Sequence, residues 1–549
     1  MSSNQECIKK LRNLLQNHEN VLKDDLVVML DDFLQKHVEA ISLEIILIFL
    51  KFTGSNNYNV NFKNNYLKQK LYEILESQLS EKKYFNAILL SRLYLENTII
   101  ESELYYNVAE ILIELKNFKL SLEFVKEYKK KEINLPLKLL TLAQYYNLKL
   151  RDYKLAIKYY EEYLKIDETK ASIYNILANL YAKEYGDKSL NEQICYYNKA
   201  LKLLPNDRLA LHGLAFSYEK IKDINKANYF YKLLLENTPT AVDKYNYGTF
   251  LISCGDFVNG HKFLTNRFLT GDENLKYPEK LDFKKKYNFT DNIANKIMLV
   301  HYEQGFGDTI MYCRYLQELK KKCKKVIFIV QNELLNLILN SPKVSKDIEI
   351  ISSNNVDYST LVYDYSLALL DVPYVVGATS DDIIFSEGYL KVSEANIEQY
   401  KLKNIKNNKK LKIGISCCGD KTANYKERDI KISSLNLIFN SVDADFYYLG
   451  KDIVNNSNLI ALGNTFDNFS DTSYAIKNMD YVISTDNVIL NLAGALGVKT
   501  IGLFTTNPNF RWFKLKNDVG WYKSVSPIIN TNESNLYLNQ IIKILSKSN

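Results

Sequence analysis

The residues best suited to chemistry sit in three short stretches of the second half of the chain. The first is His301–Asp308, HYEQGFGD, which follows the apolar run Ile297–Val300. A short buried strand, a turn bracketed by Gly305 and Gly307, and a helix capped by Asp308 form the first half of a βαβ unit. Thr309, Tyr312, Cys313, Leu316 and Leu319 continue as the apolar stripe of that helix. Glycines in such a turn let the backbone approach a ligand, and the helix start offers N–H groups to an anion. The dinucleotide fingerprint is incomplete, because Ile310 stands where its third glycine belongs. The second stretch follows Ile413–Ser416: Cys417, Cys418, Gly419, Asp420 and Lys421, leading to Lys426, Arg428 and Lys431. Four cations so close together suit a phosphate, and equally suit a solvated loop. The third stretch is Ser484–Gly497, STDNVILNLAGALG. There Asp486 is placed to cap a helix, and the amides of Asn487 and Val488 could hold an anion.

Parallel sheets must position these stretches. Short β-branched runs alternate with helical segments: Val326–Val330, Ile348–Ile351, Leu361–Tyr363, Ile413–Ser416, Phe446–Leu449, Tyr481–Ser484 and Thr500–Phe504. This alternation predicts two doubly wound sheets, over 290–400 and 408–549, divided by the Lys/Asn-rich Lys401–Lys410. Ligands of such sheets bind at the carboxyl ends of the strands, where all three stretches fall.

The first half reads differently. Residues 1–100 read as helices with few breakers. Over 101–275 a small residue recurs with an apolar partner three positions on: Ala109, Ala143, Ala178, Ala215 and Gly248, at intervals of 34, 35, 37 and 33. This is the period of a two-helix solenoid, and the copy from Leu211 to Pro239 resembles the tetratricopeptide repeat. Such a stack offers a concave groove to a peptide or protein. A charged connector, Lys276–Asn292, follows.

With 549 residues the chain is too long for one core. Its net charge of +7, from 71 basic and 64 acidic residues, is mild and argues no nucleic-acid partner. Seven cysteines without a CxxC pair fit a reducing compartment. No signal segment precedes Leu11, and the longest apolar run, Ile45–Leu50, is too short for a transmembrane segment, so a cytoplasmic location is expected. Of the five histidines only His301 lies in the α/β half, and HExxH, GxSxG and Walker A patterns are missing, so no metal site is expected. Asp443-Ala444-Asp445 has the form of a metal-binding acidic pair but precedes its strand, and reads as a loop.

Taken in order, the three stretches resemble the two-domain GT-B glycosyltransferases related to the bacterial heptosyltransferases. More closely, they resemble bacterial proteins that join tetratricopeptide repeats to such a domain, a group associated with protein glycosylation, including that of flagellin. The resemblance implies a tetratricopeptide solenoid followed by two Rossmann-like α/β domains in a GT-B arrangement. It implies metal-independent, inverting transfer from a nucleotide sugar, without a cofactor, to a protein acceptor held by the repeats. By the same resemblance Asp308 is the base that deprotonates the acceptor, Arg428 contacts the donor diphosphate, and Asp486 contacts the donor sugar; the charge of Lys421 suits the same diphosphate. The amides of Asn487 and Val488 lie beside the phosphates, and Gln304, Gly305 and Gly307 complete the donor site. Asn491 departs from the family, which has histidine there; asparagine can hydrogen-bond but takes no proton near neutral pH. Two alternatives follow: a non-catalytic adaptor with a degenerate transferase domain, or transfer to a lipid-linked or polysaccharide acceptor.

Overall fold

The computed structural model describes residues 135–547 apart from 273–274, 276, 419–427, 452–455, 514–519 and 531–535. The helices expected over 1–100, the repeat at Ala109, and Lys421 and Lys426 lie outside the described residues. The chain forms two compact units, with the boundary after Ser217.

The first unit is a stack of antiparallel helices: α1 (Leu135–Gln144), α2 (Tyr153–Leu164), α3 (Ala171–Tyr185), α4 (Leu190–Leu203) and most of α5 (Arg208–Lys220). Ala143, Ala178 and Ala215, the repeating small residues, are fully buried. Close helix approach is what they permit, and Gly213 is the sharpest case. A methyl group there would lie 2.2 Å from the ring of Tyr197 on α4. Aspartates start these helices: Asp152 accepts from Leu155 N at 3.1 Å and Asp207 from Ala210 N at 3.1 Å.

The second unit opens with α6 (Ile224–Glu236), α7 (Ala241–Ser253) and α8 (Phe257–Leu264). Two parallel sheets follow. Sheet A has the order β3-β2-β1-β4, from β1 (Ile297–His301), β2 (Lys325–Val330), β3 (Glu349–Ser352) and β4 (Tyr365–Ala368). Sheet B has the order β10-β9-β8-β5-β6-β7, from β5 (Leu411–Ser416), β6 (Ala444–Tyr448), β7 (Leu459–Ala461), β8 (Tyr481–Thr485), β9 (Thr500–Phe504) and β10 (Val525–Ile529). Every pairing is parallel. Helices α9 (Phe306–Tyr312), α10 (Phe469–Lys477) and α11 (Val488–Ala495) carry the chain away from the sheets' carboxyl ends. These are two Rossmann-like layers facing each other, the GT-B arrangement.

The run Leu361–Tyr363 is not a strand. Val362 is 76% exposed, and the ladder beside β1 starts two residues later, where Asp364 N donates to Ile297 O at 3.0 Å. Asp445 lies inside β6 and accepts from Asn408 Nδ2 at 2.7 Å, while Asp443 pairs with Lys410 at 2.5 Å. That acidic pair therefore serves the amino end of sheet B.

One apolar cluster of this unit joins its helices to both sheets. Ile252, Phe257 and Leu264 of α7 and α8 join Met298, Val300 and Tyr312 around β1, and Leu490 and Trp521 beyond. Phe257 stacks on Trp521 with ring centroids 5.2 Å apart. The last helical pair is thus part of the α/β core. Among the described residues no helix is long and apolar enough to cross a membrane.

Candidate active site

The order of each sheet reverses at one point, between β1 and β4 in sheet A and between β5 and β8 in sheet B. A crevice opens where strand order reverses, because the following loops part in opposite directions. The loops after β1, β5 and β8 are the three stretches singled out above. They line a cleft of about 680 Å³ with Gln304, Gly305, Gly307, Asp308, Arg428, Asp486, Asn487, Val488 and Asn491, all named from sequence.

Gln304 sits in the left-handed region at φ 58°, a conformation uncommon for a side chain with a Cβ. It turns the chain sharply off β1 and into α9, which starts at Phe306. Asp308 is therefore in the helix's first turn and is not its cap. Its Oδ2 accepts the Gly305 N–H at 3.2 Å. Gly307 also has another duty than expected. A methyl group there would lie 3.1 Å from Asn491 Nδ2, so this glycine lets α9 and α11 approach.

Asp308 meets a residue that sequence reasoning does not single out. Arg511, in the loop after β9, brings its Nε to 2.5 Å from Asp308 Oδ1. Its Nη1 donates to Asn509 Oδ1 at 2.9 Å, and its Nη2 donates to Gln304 Oε1. Trp521 Nε1 donates to its carbonyl at 2.7 Å. The available signal is weak: Arg511 is only the first of three cations, with Lys514 and Lys516, past the strand-like run Thr500–Phe504. Burial raises the Asp308 carboxyl above the usual aspartate range, and the Arg511 charge only partly offsets it.

On the facing wall, Arg428 Nη1 donates to the Asp486 carbonyl at 3.0 Å and to Asp486 Oδ2 at 3.3 Å. Asp486 is not the cap of α11; the cap is Asn487. Asn487 Oδ1 accepts from Ile489 N at 2.8 Å and Leu490 N at 3.4 Å, and its Nδ2 donates to Ser416 Oγ at 3.0 Å. The N–H groups of Ile489 and Leu490 are thus engaged within the helix start. Asn491 is buried, donates to Asn487 O at 3.2 Å and accepts from Tyr522 OH at 3.0 Å. Phe306 and Phe469 close one side of the cleft, with ring centroids 4.9 Å apart.

Two buried histidines lie behind these loops. Burial, reinforced by the charge of Arg267, pushes His261 down to about 3; burial also pushes His301 down to about 4, against the opposing charge of Glu303. Both are neutral in the fold near pH 7. Below about pH 6.5 the unfolded chain takes up protons that the fold refuses. Their stabilisation is thus complete above 6.5 and is lost downward until the folded values are reached. Each histidine should cost on the order of 1 kcal/mol per pH unit over that window. The check is tryptophan-fluorescence unfolding at pH 7 and pH 5: His261→Leu should lose less stability between them than wild type. An equal loss in both would refute a neutral His261.

No family model matches the chain. A curated relative, "Uncharacterized protein ycf37" of Pyropia yezoensis, is 32% identical over 100 residues, 18% of this chain and 54% of that protein. The chain spans about half the length of that relative. Among solved structures, a glycosyl transferase family 9 protein from Veillonella parvula DSM 2008 aligns at 10% identity and a TM-score of 0.34, covering 47% of this chain and 92% of that one. The type IV pilus biogenesis factor PilW aligns at 14% identity and a TM-score of 0.33, covering 38% and 96%. YrrB, described as a TPR protein with an unusual peptide-binding site, aligns at 14% and 0.27, covering 31% and 84%. These scores are all below one half; strand order and cleft geometry establish the fold.

Proposed function

We propose that the protein is a glycosyltransferase that moves a sugar from a nucleotide-activated donor to a protein acceptor recognised by the helical repeats. The observation that supports it best is the meeting of two carboxylates, Asp308 and Asp486, with two arginines, Arg428 and Arg511, at the carboxyl ends of two facing parallel sheets. Transfer needs a base for the acceptor hydroxyl and positive charge for the departing diphosphate. Asp308, with its raised carboxyl, suits the first task. Arg428 and the undescribed Lys421 suit the second, and Asp486, held by Arg428, suits the donor sugar. A flagellin-like surface protein is the acceptor class that the sequence resemblance suggests.

The test is a thermal-shift screen of the full chain against nucleotide sugars. A donor that binds only the folded state must raise the melting temperature. Incubation of cell extract with the protein and a labelled donor should then place label on a protein band; label in the lipid or polysaccharide fraction would move the acceptor. Arg428→Ala should weaken donor binding by roughly 1.5–3 kcal/mol, the loss of a charged hydrogen bond. Unchanged affinity by calorimetry would move the phosphate away from Arg428.

Asn491 favours a second reading. Its amide nitrogen and oxygen are engaged by Asn487 and Tyr522, so it serves the packing of α11 at the position where the resembled family has histidine. An adaptor built on a degenerate transferase would bind partners through the repeats, and no nucleotide sugar would raise its melting temperature.

A further inference from the structure

Arg511 is tied to three groups, and only one of them is charged. Asn509 and Gln304 hold the two Nη atoms through neutral amide oxygens, and Asp308 opposes Nε. That last contact is close but not aligned: Nε has no hydrogen-bond partner among the described residues. The guanidinium is thus positioned by its fork and merely neutralised by the carboxylate. It reaches from sheet B to the loop after β1 in sheet A and lines the same cleft as Arg428. The charge of Asp486, which Arg428 holds, also acts on it. A base that stays paired with arginine is a poor proton acceptor, and a diphosphate carries more charge than a carboxylate.

We propose that Arg511 is a latch shared between Asp308 and the donor diphosphate: without a diphosphate it pairs with Asp308, and with one it turns to the phosphate oxygens. The inference rests on the glycosyltransferase reading and deepens it. In the transfer step the acceptor oxygen bonds to the anomeric carbon, and the bond from that carbon to the diphosphate oxygen breaks. The electron pair leaves with the nucleoside diphosphate, which Arg511 meets, and the acceptor's proton passes to Asp308. Release of Asp308 by the arriving donor ensures that the base is freed only when there is a sugar to transfer.

Calorimetric titration of the full chain with UDP, GDP and ADP tests this. Arg511→Gln should weaken binding of the preferred diphosphate about tenfold or more, as for a lost charged hydrogen bond. Asp308→Asn removes the competitor and should tighten it roughly three- to tenfold. In the double variant the gain should vanish, leaving the Arg511→Gln affinity. A gain that persists in the double variant means simple repulsion by Asp308 and overturns the latch. So does wild-type affinity in Arg511→Gln, or no tightening in Asp308→Asn, which can be read even if Arg511→Gln does not fold. A wild-type chain that binds no diphosphate and no nucleotide sugar overturns the donor reading itself. Binding that Arg428→Ala weakens and Arg511→Gln leaves intact overturns only the latch.

Discussion

Replacing Asp308 by asparagine should lower turnover on the order of 10²–10⁴-fold while donor binding tightens rather than weakens. Asparagine keeps the size of the side chain and can still accept the Gly305 N–H, so the turn after β1 should survive. Basicity alone is removed. A loss confined to kcat is the signature of an interaction made only in the transition state. The pH profile gives an independent check with a defined sign. A base works deprotonated, so activity should rise with pH through the Asp308 pKa. Burial raises that pKa, so the acid limb should lie above the ordinary aspartate value of about 4. The limb should be absent from whatever residual rate Asp308→Asn retains. A variant that transfers sugar at the wild-type rate, or that keeps the same acid limb, would reduce Asp308 to a residue of the helix's first turn.

Much of this site is legible in the amino-acid sequence, for a physical reason. Parallel strands are buried on both faces and read as unbroken apolar runs, as Val326–Val330 and Thr500–Phe504 do. Polar segments at their carboxyl ends then stand out; Arg428 and Asp486 stand in those loops, and Asp308 in the helical turn that follows one. What escapes such a reading depends on contacts between distant parts of the chain. Arg511 is one arginine in TTNPNFRWF, and nothing local marks its approach to Asp308. The tight fit of Gly307 against Asn491 likewise exists only after α9 and α11 have packed. Short edge strands escape for a different reason. β7 has three residues, and β10 contains Pro527, which only an edge strand accommodates. Leu361–Tyr363 has the composition of a strand, but its place before the first β4 ladder bond decides otherwise.

Arg267→Met should destabilise the α/β unit by about 3–5 kcal/mol, the cost of leaving buried carboxylates without their cation. Arg267 lies just after α8 and is fully buried. Its Nε and Nη2 donate to Glu303 at 2.8 and 2.6 Å, and its Nη1 donates to Asp371 at 2.5 Å and to Leu264 O at 3.0 Å. Glu303 in turn accepts the Leu370 N–H at 3.1 Å. The arginine therefore ties the last helical pair to the loops after β1 and β4, the two that flank the reversal of sheet A. Glu303 immediately precedes Gln304, so the same tie fixes the strained turn that delivers Asp308. Methionine would fill much of the space but leave Glu303 and Asp371 facing each other. Burial already opposes the charge on Glu303, and Arg267 outweighs it to hold that carboxyl below its usual range. Without the arginine both carboxyls should rise, so the deficit should shrink as pH falls and they take up protons. Both tryptophans, Trp512 and Trp521, are buried in this unit, so their fluorescence during urea unfolding reports it. Adding Glu303→Gln and Asp371→Asn to Arg267→Met should recover part of the loss, because neutral amides need no counter-charge. If Arg267→Met unfolds within about 1 kcal/mol of wild type, or if the triple variant is less stable still, the cluster does not hold the helical pair to the sheet through its charges.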